Sequence, residues 1–368
     1  MANGWTRRQV LAQATIAAAV YTLDPHELCC GVNAYAQTAT GGETFELKKV
    51  GDGIWAGVAA ARYKVNSNAA IIETNDGLVI VDSHSKPSAS QALYKEVQGA
   101  TKKSVKKVIN THFHWDHWQG NQTYAQANPS CEIIASDRCK ARLTDPNQMN
   151  GGVAFIDKQI AAMPAEIDKI KADIQKAPDP ATKARLENNL TQAENYLNEL
   201  KGVKPAVPTR TVSQTMTLNE GGREIRLMVV GRAHTDGDLF IYMPKEKVLA
   251  TGDAVVGWMP FLNDGYPEDW GQTVGELEKL DIDRIIVGHG EPEPKSHLTF
   301  FRGYMTDLVG AVKKAGADNM PLEDAKKKIA EDLAPKYEKG MSRYPIGQYR
   351  ERIALNVEQC YNKVVKKM

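Results

Sequence analysis

The sequence predicts a layered α/β protein, and three observations carry that reading. Apolar runs of strand length alternate with helix-periodic stretches between Thr44 and Val287, as expected for sheets covered by helices. Several of those runs end in a glycine-flanked histidine or aspartate, which suits a site assembled from loops at one end of a rigid sheet. The tail from His297 to Met368 is helical in pattern.

Thr44–Val50, Ile54–Ala61, Ala69–Thr74 and Gly77–Asp82 alternate as strands do. Asn75-Asp76-Gly77 supplies a tight turn between the last two. Pro87–Val97 reads as a helix, Val105–Ile109 as the next strand and Glu132–Ala135 as another. Residues 158–201 change character: Ile160, Ile167, Ile170 and Ile174 recur at helical spacing, and Leu186, Leu190, Leu197 and Leu200 resume it after Ala177-Pro178-Asp179-Pro180. Proline cannot continue a helix, so this insertion is a helical hairpin, with lid, dimer contact and scaffold all open as its role. Strands return at Thr215–Leu218, Glu224–Val230, Leu239–Met243, Val248–Thr251 and Arg284–Val287, with turns at Gly221-Gly222 and Pro244–Lys247. Residues 44–296 are thus expected to form the main domain and 297–368 a helical C-terminal extension, in which Pro321 reads as a first-turn residue.

With 368 residues the chain can bury a proper core. Its 42% apolar and 25% charged composition argues against disorder or a coiled coil. Lysine and arginine (46) balance aspartate and glutamate (45), for a net charge of +1. With no concentrated basic patch, nucleic acid is disfavoured, and a small-molecule substrate is the expected partner. Residues 1–36 read as an export address. Thr6-Arg7-Arg8-Gln9-Val10-Leu11 precedes the apolar segment Ala12–Val20, and Ala34-Tyr35-Ala36 offers a cleavage site before Gln37. The arginine pair resembles a twin-arginine signal, which would place the mature chain in the periplasm or outside the cell. The apolar segment is short for a membrane span, so no transmembrane helix is expected after processing. Of five cysteines, Cys29 and Cys30 would leave with the signal. Cys131, Cys139 and Cys360 have no CxxC spacing; buried inert thiols are expected, with a Cys131–Cys139 bridge as the alternative in an oxidising compartment.

The densest chemistry lies in Asn110-Thr111-His112-Phe113-His114-Trp115-Asp116-His117-Trp118-Gln119-Gly120, directly after the Val105–Ile109 strand. Imidazoles and a carboxylate crowded at a strand end suit a borderline cation such as zinc better than they suit a packed core. His234, Asp253 and His289 each follow a later apolar run and are flanked by glycines that let the backbone turn sharply.

The set His112-x-His114-x-Asp116-His117, His234, Asp253 and His289, with Val81-Asp82 at the strand end before it, resembles the metallo-β-lactamase superfamily over roughly Thr44 to Pro292. The resemblance implies an αββα four-layer sandwich of two mixed sheets. It further implies that His112, His114 and His234 hold one metal ion, Asp116, His117 and His289 a second, and that Asp253 bridges them. Two Zn2+ ions are the implied cofactors, with iron or manganese as alternatives. A bridging aspartate is closer to the glyoxalase II-like and lactonase-like members than to the zinc β-lactamases. A hydroxide shared by two metals would attack a carbonyl bond in a β-lactam or other cyclic amide, a lactone, an ester or a thioester. Asp116 is also the candidate to orient that nucleophile or handle its proton. No Gly-x-Ser-x-Gly motif suggests a serine nucleophile. His84 reads as a surface histidine or one supporting the ligands, with an extra polar group at the site rim as the alternative, and Trp115, Trp118, Trp258, Phe261, Asn263, Tyr266 and Trp270 as a candidate substrate wall or as packing. Two other classes compete: a mononuclear iron dioxygenase acting on sulfur compounds, and a non-catalytic binding protein on the same fold. A complete second ligand set weighs against the former and intact ligands against the latter. A nuclease or phosphodiesterase would also use two metals, but the charge balance disfavours it.

Overall fold

The computed structural model describes residues 45–59, 67–148, 150–340 and 348–367. The arginine pair, the cleavage motif, Cys29 and Cys30 lie outside the described residues. Strands β1 (Phe45–Gly51), β2 (Ile54–Ala59), β3 (Ala69–Glu73), β4 (Leu78–Val81), β5 (Val105–Ile109), β6 (Glu132–Ser136) and β7 (Arg210–Val212) form one sheet in that order. Its neighbours are antiparallel from β1 to β4 and parallel from β4 to β7. The second sheet contains β8 (Met216–Glu220), β9 (Arg223–Met228), β10 (Phe240–Met243), β11 (Val248–Gly252), β12 (Arg284–Val287) and β13 (Glu293–Pro294), hydrogen-bonded in chain order. Only β11 and β12 pair in parallel.

Side-chain alternation explains why these runs make two sheets covered on both faces. In β3, Ala70 and Ile72 face the other sheet while Ala69 and Ile71 face outward; in β4, Val79 and Val81 face inward and Leu78 and Ile80 outward. The same period of two places Ile241 and Met243 of β10 in the inter-sheet core and Phe240 and Tyr242 on the far side. Each face is apolar, so each sheet must be covered twice, and the result is the αββα sandwich.

The covering helices follow from the same logic. Helix α1 (Pro87–Thr101) starts with proline at a first-turn position and lays Ala89, Leu93 and Val97 on the first sheet. The metal-motif region adds two short helices, α2 (Trp115–Trp118) and α3 (Asn121–Ala127), and α4 (Asp137–Thr144) follows β6. The hairpin is α5 (Phe155–Gln175) and α6 (Pro180–Leu200), where Asp179 caps α6 by accepting the Thr182 N–H at 2.8 Å. It does not float free: Phe155, Met163, Ala193, Tyr196 and Leu200 pack against Phe113, Trp115 and Trp118 of the metal motif. On the second sheet lie α7 (Pro267–Leu277), α8 (Ser296–Ala317), α9 (Leu322–Tyr337) and α10 (Gln348–Val364). Pro321 immediately precedes α9 rather than opening it. Residues Leu298, Phe301, Met305 and Leu308 of α8 join Trp270, Val274 and Leu277 in one core with β10–β12. Among the described residues, no helix is long and apolar enough to cross a membrane.

The short α2, α3 and α4 and the strands β7 and β13 have no counterpart in the sequence reading because each is brief, whereas α7 carries a helical period in Trp270, Val274 and Leu277 that the reading passed over. Cys131, Cys139 and Cys360 are free and buried. Burial pushes the Cys131 thiol up to about 11 and the Cys360 thiol to about 12, so these are packing residues, not nucleophiles.

Ile241 is fully buried between the sheets. Ile241→Ala is expected to cost about 2–5 kcal/mol of unfolding free energy. In denaturant this should appear as a lowered midpoint with unchanged slope; a loss under about 1 kcal/mol would contradict the inter-sheet placement.

Candidate metal centre

The strand ends deliver their polar residues to one edge of the sandwich. β5 hands over Asn110 and the loop carrying His112 and His114, α2 carries Asp116 and His117, and the turns after β9, β11 and β12 carry His234, Asp253 and His289. All seven side chains are at least 95% buried. Their donor atoms gather in three overlapping groups, each within 4.8 Å: His112, His114 and His234; Asp116, His117 and His289; and His112, His117 and Asp253. Asp253 lies between the two outer groups. Its Oδ1 is 3.2 Å from His117 Nε2, and its Oδ2 is 3.1 Å from His289 Nε2 and 3.7 Å from His234 Nε2. Asp116 Oδ2 sits 3.4 Å from His289 Nε2 and 3.7 Å from His117 Nε2.

The outward-facing nitrogens fix which inward atom is bare. His117 Nδ1 donates to Asp82 Oδ2 at 2.7 Å. The Thr111 hydroxyl donates to the same carboxylate at 2.8 Å, which commits its single hydrogen, so His112 Nδ1 must donate to Thr111 Oγ1 at 3.0 Å. His234 Nδ1 donates to the Phe261 carbonyl at 3.2 Å, and His114 Nε2 to Asp264 Oδ2 at 3.0 Å. Each ring therefore turns its other nitrogen inward: Nε2 for His112, His117 and His234, and Nδ1 for His114. Among the described residues nothing hydrogen-bonds His112 Nε2, while His117 Nε2 and Asp253 Oδ1 face each other without hydrogen-bond alignment. Buried imidazole nitrogens converging with two buried carboxylates fit divalent cations.

Electrostatics divides the cluster. Burial, with neighbouring imidazoles, holds His112 well below the ordinary histidine range, and burial with His114 brings His234 down to about 3. Burial also works to lower His117 and His289, but Asp253 and Asp116 outweigh it and raise both. Burial would raise Asp253, yet His289 and His117 hold it well below the carboxylate range.

Two glycines are required by the geometry. Gly252 has φ +51°, and a Cβ there would lie 2.3 Å from Thr111 Oγ1; a Cβ at Gly288 would lie 2.0 Å from Asp253 Oδ1. Behind the motif, Asn110 Nδ2 donates to the His117 carbonyl at 2.9 Å and to Asn121 Oδ1 at 3.1 Å, and Ser83 Oγ donates to the same Asn121 oxygen at 2.7 Å. Asn68 donates its amide to the Val287 and Gly290 carbonyls, at 2.9 and 2.7 Å, and so braces the turn holding His289.

Several expectations change here. His84 is not on the surface: it is fully buried against Phe45, its Nδ1 3.1 Å from the Ser67 carbonyl. Trp118, Trp258 and Trp270 are core residues, and Trp115 packs on Phe155 and Tyr196. Asn263 and Tyr266 do line a cleft beside the centre, with Phe113, Arg142, Asp264 and Lys363. Phe261 contributes its carbonyl. The sequence reading gave no role to Thr111, Asp264 or Asn68, and placed Asp82 only as context. A strand-end aspartate was the one available signal for Asp82, whose φ of +62° shows how sharply the chain turns there.

Several known proteins are similar to this chain. The chain is 20% identical over 235 residues to a linear primary-alkylsulfatase from Pseudomonas sp. (strain ATCC 19151), covering 60% of this chain and 41% of that protein. It is 22% identical over 257 residues to a metallo-beta-lactamase type 2 from Bacillus cereus, covering 67% of this chain and 77% of that one. The solved structure of an inverting sec-alkylsulfatase from Pseudomonas sp. is similar in fold, with a TM-score of 0.59 and 17% identity, covering 87% of this chain and 50% of that one. The chain thus spans half or less of the length of both alkylsulfatases. The family model of the metallo-beta-lactamase superfamily matches residues 62–289, more than half of the sequence, and that stretch contains every residue of the two ligand groups. The chain belongs to the metallo-beta-lactamase superfamily.

Proposed function

We propose that this protein is an exported hydrolase that holds two divalent ions, zinc in the first instance, and cleaves a small substrate at a carbonyl bond: a β-lactam or other cyclic amide, a lactone, an ester or a thioester. One observation carries the reading: two complete groups of inward-facing donors share Asp253. The second group is what separates this reading from a mononuclear iron dioxygenase. A sulfate ester is the second substrate class, supported by the two alkylsulfatases among the similar proteins.

His112, His114 and His234 would hold one ion and Asp116, His117 and His289 the other, with Asp253 reaching both. When bound, the ions supply an ionised water nucleophile near neutral pH and Lewis-acid polarisation of the scissile bond. The protein's own part is positional. Asp82 holds His117 directly and His112 through Thr111, so one carboxylate orients a ligand in each group. The Asp116 carboxylate, beside His117 and His289, is placed to accept a proton or hydrogen bond from the attacking water.

Zinc-loaded mature protein is to be assayed on a chromogenic cephalosporin, an aryl ester and an alkyl sulfate, with His114→Ala as control. The variant is expected to lose at least the ~10–100-fold in metal affinity that removing a mere supporting partner costs, and its turnover with it. Cys360→Ser should lose neither. Full turnover in the His114 variant would remove the site assignment, and which substrate turns over selects the class.

The electrostatic division gives a pH prediction. His112 and His234 stay neutral, so a cation entering that group displaces no proton from them. His117 and His289, with raised values, hold protons to higher pH, so a cation there must compete with them. As pH falls, the second group should therefore lose its ion before the first, read as two steps in metal content on dialysis. A single step, or loss in the reverse order, would contradict this.

Export is testable separately. Replacing Arg7 and Arg8 with lysine should leave precursor in the cytoplasm, whereas the native chain should be recovered from the periplasm beginning near Gln37.

A further inference from the structure

The outer partners of the first ligand group come largely from one short loop. The Phe261 carbonyl accepts from His234 Nδ1, and three residues later Asp264 Oδ2 accepts from His114 Nε2 at 3.0 Å. His114 Nδ1, at the opposite end of the ring, lies 2.8 Å from His234 Nε2 and faces the group. The carboxylate thus grips one end of an imidazole whose other end is the donor. Asn150 Nδ2 lies 3.5 Å from the second carboxylate oxygen.

The loop is itself pinned. Tyr266 N–H donates to the Ala233 carbonyl at 2.8 Å, next to His234, and Gly265 N–H donates to the Leu262 carbonyl at 3.1 Å. From the far side Lys363, on α10, donates its ammonium to the Gly265 carbonyl at 2.7 Å. A Cβ at Gly265 would lie 2.7 Å from the Trp270 ring, so the backbone rests directly on the core. Sheet, α7 and the C-terminal helix therefore converge on the peptide that carries Asp264.

We infer that Asp264 is a positioning residue for the first metal: it fixes the His114 ring with Nδ1 turned toward the ligand group, and Lys363 of the C-terminal helix holds Asp264 in place. The inference rests on the two-metal reading above and concerns one group only, since the second group takes its outer carboxylate from Asp82. Asp264 does not touch the reacting atoms; it acts through His114.

The test is Zn2+ titration of the full mature chain against a chromophoric chelator, in a His289→Ala background that leaves only the first group intact. Asp264→Ala should weaken binding by about 10–100-fold. Asp264→Asn, whose side-chain carbonyl can still accept from His114 Nε2, should recover part of that loss, which a purely structural role would not require. Lys363→Met should weaken binding by less than Asp264→Ala, and none of the three should alter Zn2+ binding to the second group in a His234→Ala background. Unchanged affinity in Asp264→Ala, no recovery in Asp264→Asn, or an equal loss at the second group would each overturn the inference. Zn2+ binding to neither background nor to the native chain would instead overturn the metal-centre reading on which it depends.

Discussion

Five imidazoles and two carboxylates share one buried space, and the rest of the structure is arranged around making that tolerable. Unit charges about 4 Å apart interact by about 4 kcal/mol at an effective dielectric of 20, so every protonation state in the cluster affects its neighbours. The chain answers by giving the outward nitrogens of His112, His114, His117 and His234 an acceptor: Thr111, Asp264, Asp82 and the Phe261 carbonyl. With those nitrogens committed outward, the opposite ring nitrogens converge inward beside Asp116 and Asp253. Such a cluster is poor as packing and well suited to cations.

Holding it demands a stiff frame. The inter-sheet core runs from Ile54 and Ile72 across to Ile225, Ile241 and Ile286, and the strands it fixes end at the ligand-bearing turns. Those turns leave no slack. Gly252 and Gly288 stand where any side chain would strike Thr111 or Asp253, so the approach of β11 and β12 to the metal loop is set by backbone contact. From the other side, the helical hairpin presses on the same loop, and Gln119, Gln159 and Tyr196 form a closed ring of hydrogen bonds of 2.8–3.0 Å between loop, α5 and α6. Of the roles left open for the insertion, the packing supports scaffold for the metal motif.

Much of this was legible in the residues, for identifiable reasons. Strands buried on both faces announce themselves as continuous apolar runs, and the hairpin by its helical period and its proline break. The ligand residues stood out because His, Asp and Gly recur at strand ends, a coincidence packing does not explain. What escaped notice were contacts between residues distant in sequence. Asp264 lies 150 positions from His114, inside a run that reads simply as a turn. Thr111 looked like strand punctuation, yet its hydroxyl sets the tautomer of His112. For the tryptophans the sequence left substrate wall and packing both open, and Trp118, Trp258 and Trp270 fill the core because a strand end packed between layers is already interior.

The two ligand groups are not equivalent, and their difference follows from which side chains the turns happened to bring. The first group is three imidazoles, two of them (His112 and His234) held neutral by burial, braced by a carbonyl, a hydroxyl and Asp264. The second combines two imidazoles with the Asp116 carboxylate, and both groups border Asp253. Neutral nitrogen donors favour borderline cations such as zinc through ligand type, whereas a site with a carboxylate of its own also attracts harder ions through charge. The outer partners sharpen the contrast. His114 and His117 each lean on a carboxylate, but Asp82 belongs to the sheet end and serves both groups through His117 and Thr111, while Asp264 belongs to a loop pinned by the C-terminal helix and serves only the first. The sheet therefore fixes where the two groups stand relative to each other, and the loop adjusts one of them alone.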